Sequence, residues 1–211
     1  MIKGSKHKKE SLDKIARTRN TKWIIKEKQY IIMPDGSTAI KIQLTQGKFA
    51  IIDEEDWERV NQYKWYAKRG TQTWYAARTE SKRVNKIRDK TIRLHQFLMN
   101  CPRDKEVDHI NGDGLDCRKK NMRICTRLEN GKNQRMPKNN TIGYKGIGNE
   151  GNKYIPWVAQ IFANGRLYKS RGFKTIKEAA IEYDRLALKY HGEFARLNFP
   201  LTKINKTSTI K

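Results

Sequence analysis

The 211-residue chain carries 46 Lys and Arg against 22 Asp and Glu, a formal net charge of +24. Charge of this size repels itself in a compact state, so a polyanionic partner and a salt-dependent affinity are expected. No apolar run reaches transmembrane length, and the opening MIKGSKHKKESLDK has no apolar centre. An intracellular protein, cytoplasmic or nucleoid-associated and neither secreted nor in a membrane, is therefore expected.

Residues 1–22 read as a basic polar arm. A β-rich region follows within 23–136. WIIKEKQYIIM and TAIKIQL flank PDGS, a turn sequence, and predict two strands. KFAIID is a short apolar run, and DEEDWERV predicts a short helix with Asp53 at its N-cap. KWYAKR and TWYAAR predict a hairpin, and residues 80–93 a basic connection. LHQFLMN, 94–100, is the apolar start of a buried helix or strand. Cys101, Cys117 and Cys125 form no C-x-x-C pair, and with His109 they match no common zinc spacing, so buried thiols in a reducing compartment are expected.

The stretch VDHINGDGLDCRKKNMRICTRLEN, 107–130, carries the chemistry. VDHI is read as extended, so Asp108 and His109 point to opposite sides. NGDG turns the chain, NMRIC is a second extended segment, and TRLENGKNQ begins a helix. Thr126 at the N-cap and Glu129 at N3 form a capping box. Asn130 then lies in the first turns of that helix. Asp108 supplies a carboxylate oxygen and Asn130 an uncharged amide oxygen to a hard divalent cation, magnesium or manganese. His109 has the intrinsic pKa to take a proton from water at neutral pH. Asn121 is placed to hydrogen-bond the imidazole and fix its tautomer.

This stretch, with LHQFLMN before it, resembles an HNH homing endonuclease of the His-Me finger, or ββα-metal, type. That group has an Asp-His pair, an Asn 12 residues after the His and a metal-binding Asn 21 residues after it; from His109 these are Asn121 and Asn130. The resemblance implies Asp108 and Asn130 as metal ligands, His109 as general base and Asn121 as its orienter. His95 lies where such proteins often carry a His and is a candidate for support of the site.

Residues 137–142 read as a linker and 143–200 as a second domain, with 201–211 a polar tail. GYKGIG, YIPWVAQIF and GRLYKSRGF predict three strands. TIKEAAIEYDRLALKYHGEF predicts a helix with a Thr175/Glu178 capping box and Gly192 just past its end. Alternation turns Trp157, Ala159 and Ile161 toward the helix and Val158, Gln160 and Phe162 outward. Lys145, Gln160, Arg166, Lys169 and Arg171 become candidate DNA contacts. GYKGI, W-x-A-x-I, the GF-x-T-x-x-EAA-x-x-YD run and LNFP resemble the Apetala2-type (ethylene-responsive-factor) DNA-binding domain. In that family the sheet reads the major groove, but here most of its arginines are absent, so its target sequence is not carried over.

The expected whole is an α+β, metal-dependent, site-specific homing endonuclease. It would use one divalent cation and double-stranded DNA, with no membrane and no obligate protein partner. It would nick as a monomer and leave 5′-phosphate and 3′-hydroxyl ends. The alternative is a DNA-binding regulator without catalysis.

Overall fold

The structure, a computed structural model, describes residues 27–80 and 89–200. The expectations for the arm, for part of the basic connection and for the tail lie outside these residues. The described chain is α+β: small antiparallel sheets with few helices. It divides into two compact units, residues 1–124 and 125–211.

In the first unit, β1 (Gln29–Ile32), β2 (Thr38–Gln43) and β3 (Phe49–Ile52) form a sheet in the order β1-β2-β3. The PDGS turn closes β1 onto β2, with Gly36 at φ +78°, a conformation that suits glycine. A 3-10 turn (Glu54–Asp56) leads into α1 (Trp57–Asn61). Asp53 stands at the N-cap but does not cap the turn with its side chain. Its carboxylate instead accepts from the backbone N–H of Lys119 at 2.7 Å.

The predicted hairpin forms from β4 (Tyr66–Arg69) and β5 (Trp74–Glu80). A third strand, β6 (Lys90–Arg93), pairs with β5 where a connection was expected. Only Ile92 in KTIR is apolar, so this edge strand has no alternation to betray it. LHQFLMN folds as a short helix, α2 (Leu94–Leu98). The unit's core gathers Ile40, Ile52, Trp57, Val60, Trp65 and Leu94, with Val107, Cys117 and Met122 from the motif packed into it. β7 (Glu106–His109) and β8 (Met122–Cys125) pair as a two-stranded ribbon.

In the second unit, α3 (Arg127–Lys132) starts with the predicted capping box complete: Thr126 accepts from the Glu129 N–H, and Glu129 accepts from the Thr126 N–H. β9 (Ile147–Asn149), β10 (Trp157–Ala163) and β11 (Arg166–Lys169) form a sheet with β10 central. It packs on α4 (Ile176–His191) through Ile147, Ala159, Ile161, Ala179, Ala180, Tyr183, Leu186 and Ala187. The Thr175/Glu178 capping box is present and Gly192 follows α4 at φ +58°. Buried Asp184 on α4 accepts from the N–H groups of Asn198 and Phe199, both at 2.8 Å, which docks the LNFP segment onto the helix. Among the described residues, no helix is long and apolar enough to cross a membrane.

Candidate active site

The β7 strand delivers Asp108 and His109 into the interior, at 5% and 6% exposure. Their surroundings differ. Asp108 Oδ2 accepts two bonds from the Arg123 guanidinium on β8, from Nε at 2.9 Å and from Nη2 at 2.7 Å. The His109 ring packs edge-on against His95, centroids 4.9 Å apart, and tilted against Tyr75 at 6.1 Å. Tyr75 and His95 also meet edge-on at 5.2 Å. Burial pushes the His109 pKa down, while Asp108, Asp113 and Asp116 pull it up; the net shift is downward. The ring is therefore neutral near pH 7 and chemically able to accept a proton.

Burial pushes His95 further, down to about 3, with His109 and Arg93 adding to the fall. His95 is thus a neutral wall behind His109. Its Nδ1 is buried and has no hydrogen-bond partner among the described residues.

Asn121 is 7% exposed, at the end of a 3-10 turn (Lys119–Asn121) just before β8. Its side chain was expected on the imidazole. Instead its oxygen accepts from the Asn111 N–H at 3.0 Å, and its amide donates to Asn111 Oδ1 at 3.1 Å and to the Asp116 carbonyl at 2.8 Å. Its own carbonyl accepts from the Ile110 N–H, and the His109 carbonyl accepts from the Gly112 N–H. Asn121 therefore locks the turn that follows His109 and sets the backbone from which the ring projects.

Acids in the turn serve the same frame. Asp113 Oδ1 accepts from the Leu115 N–H. Asp116, 3% exposed, receives two 2.7 Å bonds from Arg118 and one from Asn111. Burial alone would raise the Asp116 pKa, but the Arg118 bonds and charge bring it below the ordinary carboxylate value.

Three positions in this web escaped the sequence reading. Tyr75 was read only as part of a hairpin, because nothing local relates it to a motif more than thirty residues away. Gly114 explains the approach: a Cβ there would lie 2.5 Å from the Trp74 carbonyl oxygen and 2.6 Å from the Tyr75 ring. Arg123 was counted among the basic residues. Its signal was available, since pairing the two predicted strands brings a cation onto the strand opposite Asp108.

Asn130 lies half-buried in α3 of the second unit, with its N–H on the Thr126 carbonyl. The donor set of one carboxylate and one carboxamide suits a hard divalent cation. A zinc cluster does not form. The one group of three or more His, Cys, Asp or Glu ligand atoms within 4.8 Å, among the described residues, is Asp53, Glu55 and Asp56. Cys117 and Cys125 are buried thiols, as expected, and Cys101 is half-buried.

The sheet residues singled out for DNA have varied fates. Arg166 and Arg171 are exposed, and Gln160 is half-buried. Lys169 is exposed but paired with Glu150 at 2.7 Å. Lys145 is half-buried: its ammonium donates to the carbonyls of Lys132 at 3.2 Å and Gln134 at 2.7 Å, at the end of α3. A cation there satisfies carbonyls that the helix leaves open. Burial, with Arg196 nearby, lowers the Lys145 pKa to about 8. Val158, assigned outward by alternation, is buried.

Residues 99–132 match the HNH endonuclease family. An uncharacterized HNH endonuclease of Acanthamoeba polyphaga mimivirus is 28% identical over 160 residues, 72% of this chain and 76% of that protein. Protein 3.8 of Escherichia phage T7 is 32% identical over 95 residues, 45% of this chain and 77% of its own length. No solved structure matches the chain. The chain thus carries an HNH endonuclease domain and belongs to the family of the phage protein. It is an enzyme, a nuclease that hydrolyses DNA, and nucleases of this type generally use a divalent metal ion.

Proposed function

We propose that the protein is a site-specific endonuclease of the homing type that nicks double-stranded DNA as a monomer and leaves 5′-phosphate and 3′-hydroxyl ends. The observation that carries this reading is the buried His109 ring, walled by Tyr75 and His95 and projecting from a turn locked by Asn121, beside the carboxylate of Asp108. In this reading His109 takes the proton from the attacking water, and Asn121 positions it through the backbone. Asp108 and Asn130 hold one divalent cation, magnesium or manganese. When bound, that ion neutralises charge on the phosphate and stabilises the leaving 3′ oxygen. Arg123 holds the Asp108 carboxylate in place and offsets its charge. His95 supports the ring and does not itself exchange protons near neutral pH.

We assign DNA addressing to residues 143–200, as an Apetala2-type unit joined by the linker 137–142 to the nuclease region 23–136. Three antiparallel strands on one capped helix, with Gln160, Arg166, Lys169 and Arg171 on or beside the sheet, support that assignment. The phage and giant-virus relatives suit a phage-borne or otherwise mobile gene.

Supercoiled plasmid incubated with the protein and magnesium or manganese should become nicked circles, with ends that ligase reseals. Linear product from the first turnover would overturn nicking by a monomer. No cleavage with either ion, across a range of salt, would sink the metal-dependent reading.

A further inference from the structure

Residues paired across a sheet share a face, and so do residues two apart along a strand. Tyr75 pairs with Lys68 on β4, and Ala77 pairs with Arg93 on β6. Lys68, Tyr75, Ala77 and Arg93 therefore lie on one face of the β4-β5-β6 sheet. Ala67, Trp74 and Ala76 lie on the other, which packs on the unit's core. The first face is the one from which Tyr75 meets His95 and His109. It borders the buried imidazole and carries a cation on each side of Tyr75.

These two cations differ from others near the motif. Arg118 sits on Asp116, Lys120 on Asp35 and Arg123 on Asp108. Lys68 and Arg93 are exposed and form no ion pair with an acid among the described residues. The Arg93 guanidinium lies over the Tyr75 ring, 5.6 Å from its centroid, and its charge adds to the fall in the His95 pKa. A contact with a ring face orients a guanidinium without cancelling its charge. Adjacent strands lie about 4.8 Å apart, so β4 and β6 stand about 10 Å apart across β5. A DNA strand, rising about 3.4 Å per nucleotide, carries several phosphates over that span. We propose that this face is a phosphate-binding floor for the DNA strand being cut, with Arg93 on the phosphate nearest His109 and Lys68 on a neighbouring phosphate of the same strand. The guanidinium donates in parallel to phosphate oxygens and meets the negative charge that grows there as water attacks. The proposal rests on the reading of His109 as the base of a DNA nuclease. It adds binding residues outside both the motif and the C-terminal sheet.

The first arm of the test is DNA binding by the full chain in EDTA, readable whether or not the protein nicks. A fluorescent duplex is titrated at several salt concentrations. Arg93→Gln and Lys68→Gln should each make the slope of log affinity against log salt shallower by about 0.9, while Arg93→Lys keeps it. Arg69→Gln removes an exposed cation beside Trp74, on the opposite face, and should leave the slope unchanged. Unchanged slopes in Arg93→Gln and Lys68→Gln overturn the proposal, even where the wild type nicks. So does an equal loss in Arg69→Gln, which would report net charge alone, or in Arg93→Lys, which would report a change of fold. The second arm is the nicking rate at saturating DNA. Arg93→Gln should lower it on the order of 10²-fold, as loss of a donor to the developing charge does, with Arg93→Lys recovering much of the loss. Lys68→Gln should raise KM and leave the saturated rate near wild type. A wild-type saturated rate in Arg93→Gln would overturn its place beside His109. Slopes as expected in a wild type that never nicks would sink the nuclease reading and leave the DNA floor supported.

Discussion

The end of β7 with the turn after it and the outer face of the C-terminal sheet are both rich in polar groups, yet they are built in opposite ways. Asp108, His109 and Asn121 are 5%, 6% and 7% exposed, and ring contacts or hydrogen bonds fix each of them. On the sheet, Phe162 and Leu167 pair across β10 and β11 at 66% and 54% exposure, with Arg166 open beside them. A proton transfer depends on sub-ångström placement, so its residues are held by neighbours whose own positions are fixed. A surface that meets a long polymer works by charge and adaptable contact, and gains little from burial. The contrast predicts that substitutions in the turn act on turnover and stability, and those on the sheet act on affinity.

The largest effect should come from His109→Ala. Loss of a general base costs on the order of 10² to 10⁴ in rate. Nicking should fall by that factor while DNA affinity stays within about twofold of wild type in a filter-binding assay. A matching loss of affinity would erase the division between the two regions. Next comes Arg123→Gln. The Arg123 and Asp108 side chains are 14% and 6% exposed, so the variant takes two charge-assisted hydrogen bonds away from a buried carboxylate. The expected cost is about 3 kcal/mol, read by urea unfolding. Magnesium should restore more stability to the variant than it gives the wild type, because the ion replaces the missing positive charge. Equal responses would mean that Asp108 does not hold the cation.

His95 offers a pH test of the same buried wall. Its folded pKa lies near 3 against an ordinary 6.5. Between those values the unfolded chain binds a proton that the native chain refuses. Stability therefore falls as pH drops from 6.5 toward 3, by up to about 1.4 kcal/mol per pH unit from this group. His95→Phe should flatten that part of the profile, measured as the difference between variant and wild-type unfolding curves from pH 6.5 to 4.5. Identical slopes would show that His95 is not held neutral.

Much of this was legible in the sequence, and the failures share a cause. Both capping boxes, the PDGS turn, the hairpin at 66–80 and the helix at 176–191 rest on local spacing, and local spacing survives folding. The Asp-His pair and the motif asparagines could likewise be picked out from order along the chain. What spacing could not give was where side chains send their hydrogen bonds. Asn121 was expected on the imidazole, and its side chain bonds Asn111 and the Asp116 carbonyl. Lys145 had the right charge but turned to helix carbonyls, because a helix end with open acceptors competes with solvent for a nearby ammonium. Tyr75 reaches His109 only through tertiary packing, so no window around either residue contains the contact.

The smallest effect should appear on the sheet, and it separates a charge that is open from one already spent. Lys169 is matched to Glu150 at 2.7 Å, with both side chains about half exposed at 48% and 47%. Such a pair contributes at most about 1 kcal/mol to stability, so breaking it barely affects folding. It does affect what the sheet offers to DNA: the acid cancels the lysine's field and adds repulsion toward phosphate. Glu150→Gln should therefore tighten DNA binding severalfold at low salt and steepen the salt dependence, with thermal stability within about 0.5 kcal/mol of wild type. Arg166→Gln, which removes an open cation, should weaken binding and make the slope shallower by about 0.9. If both Glu150→Gln and Arg166→Gln leave affinity unchanged, DNA is not held by the sheet face.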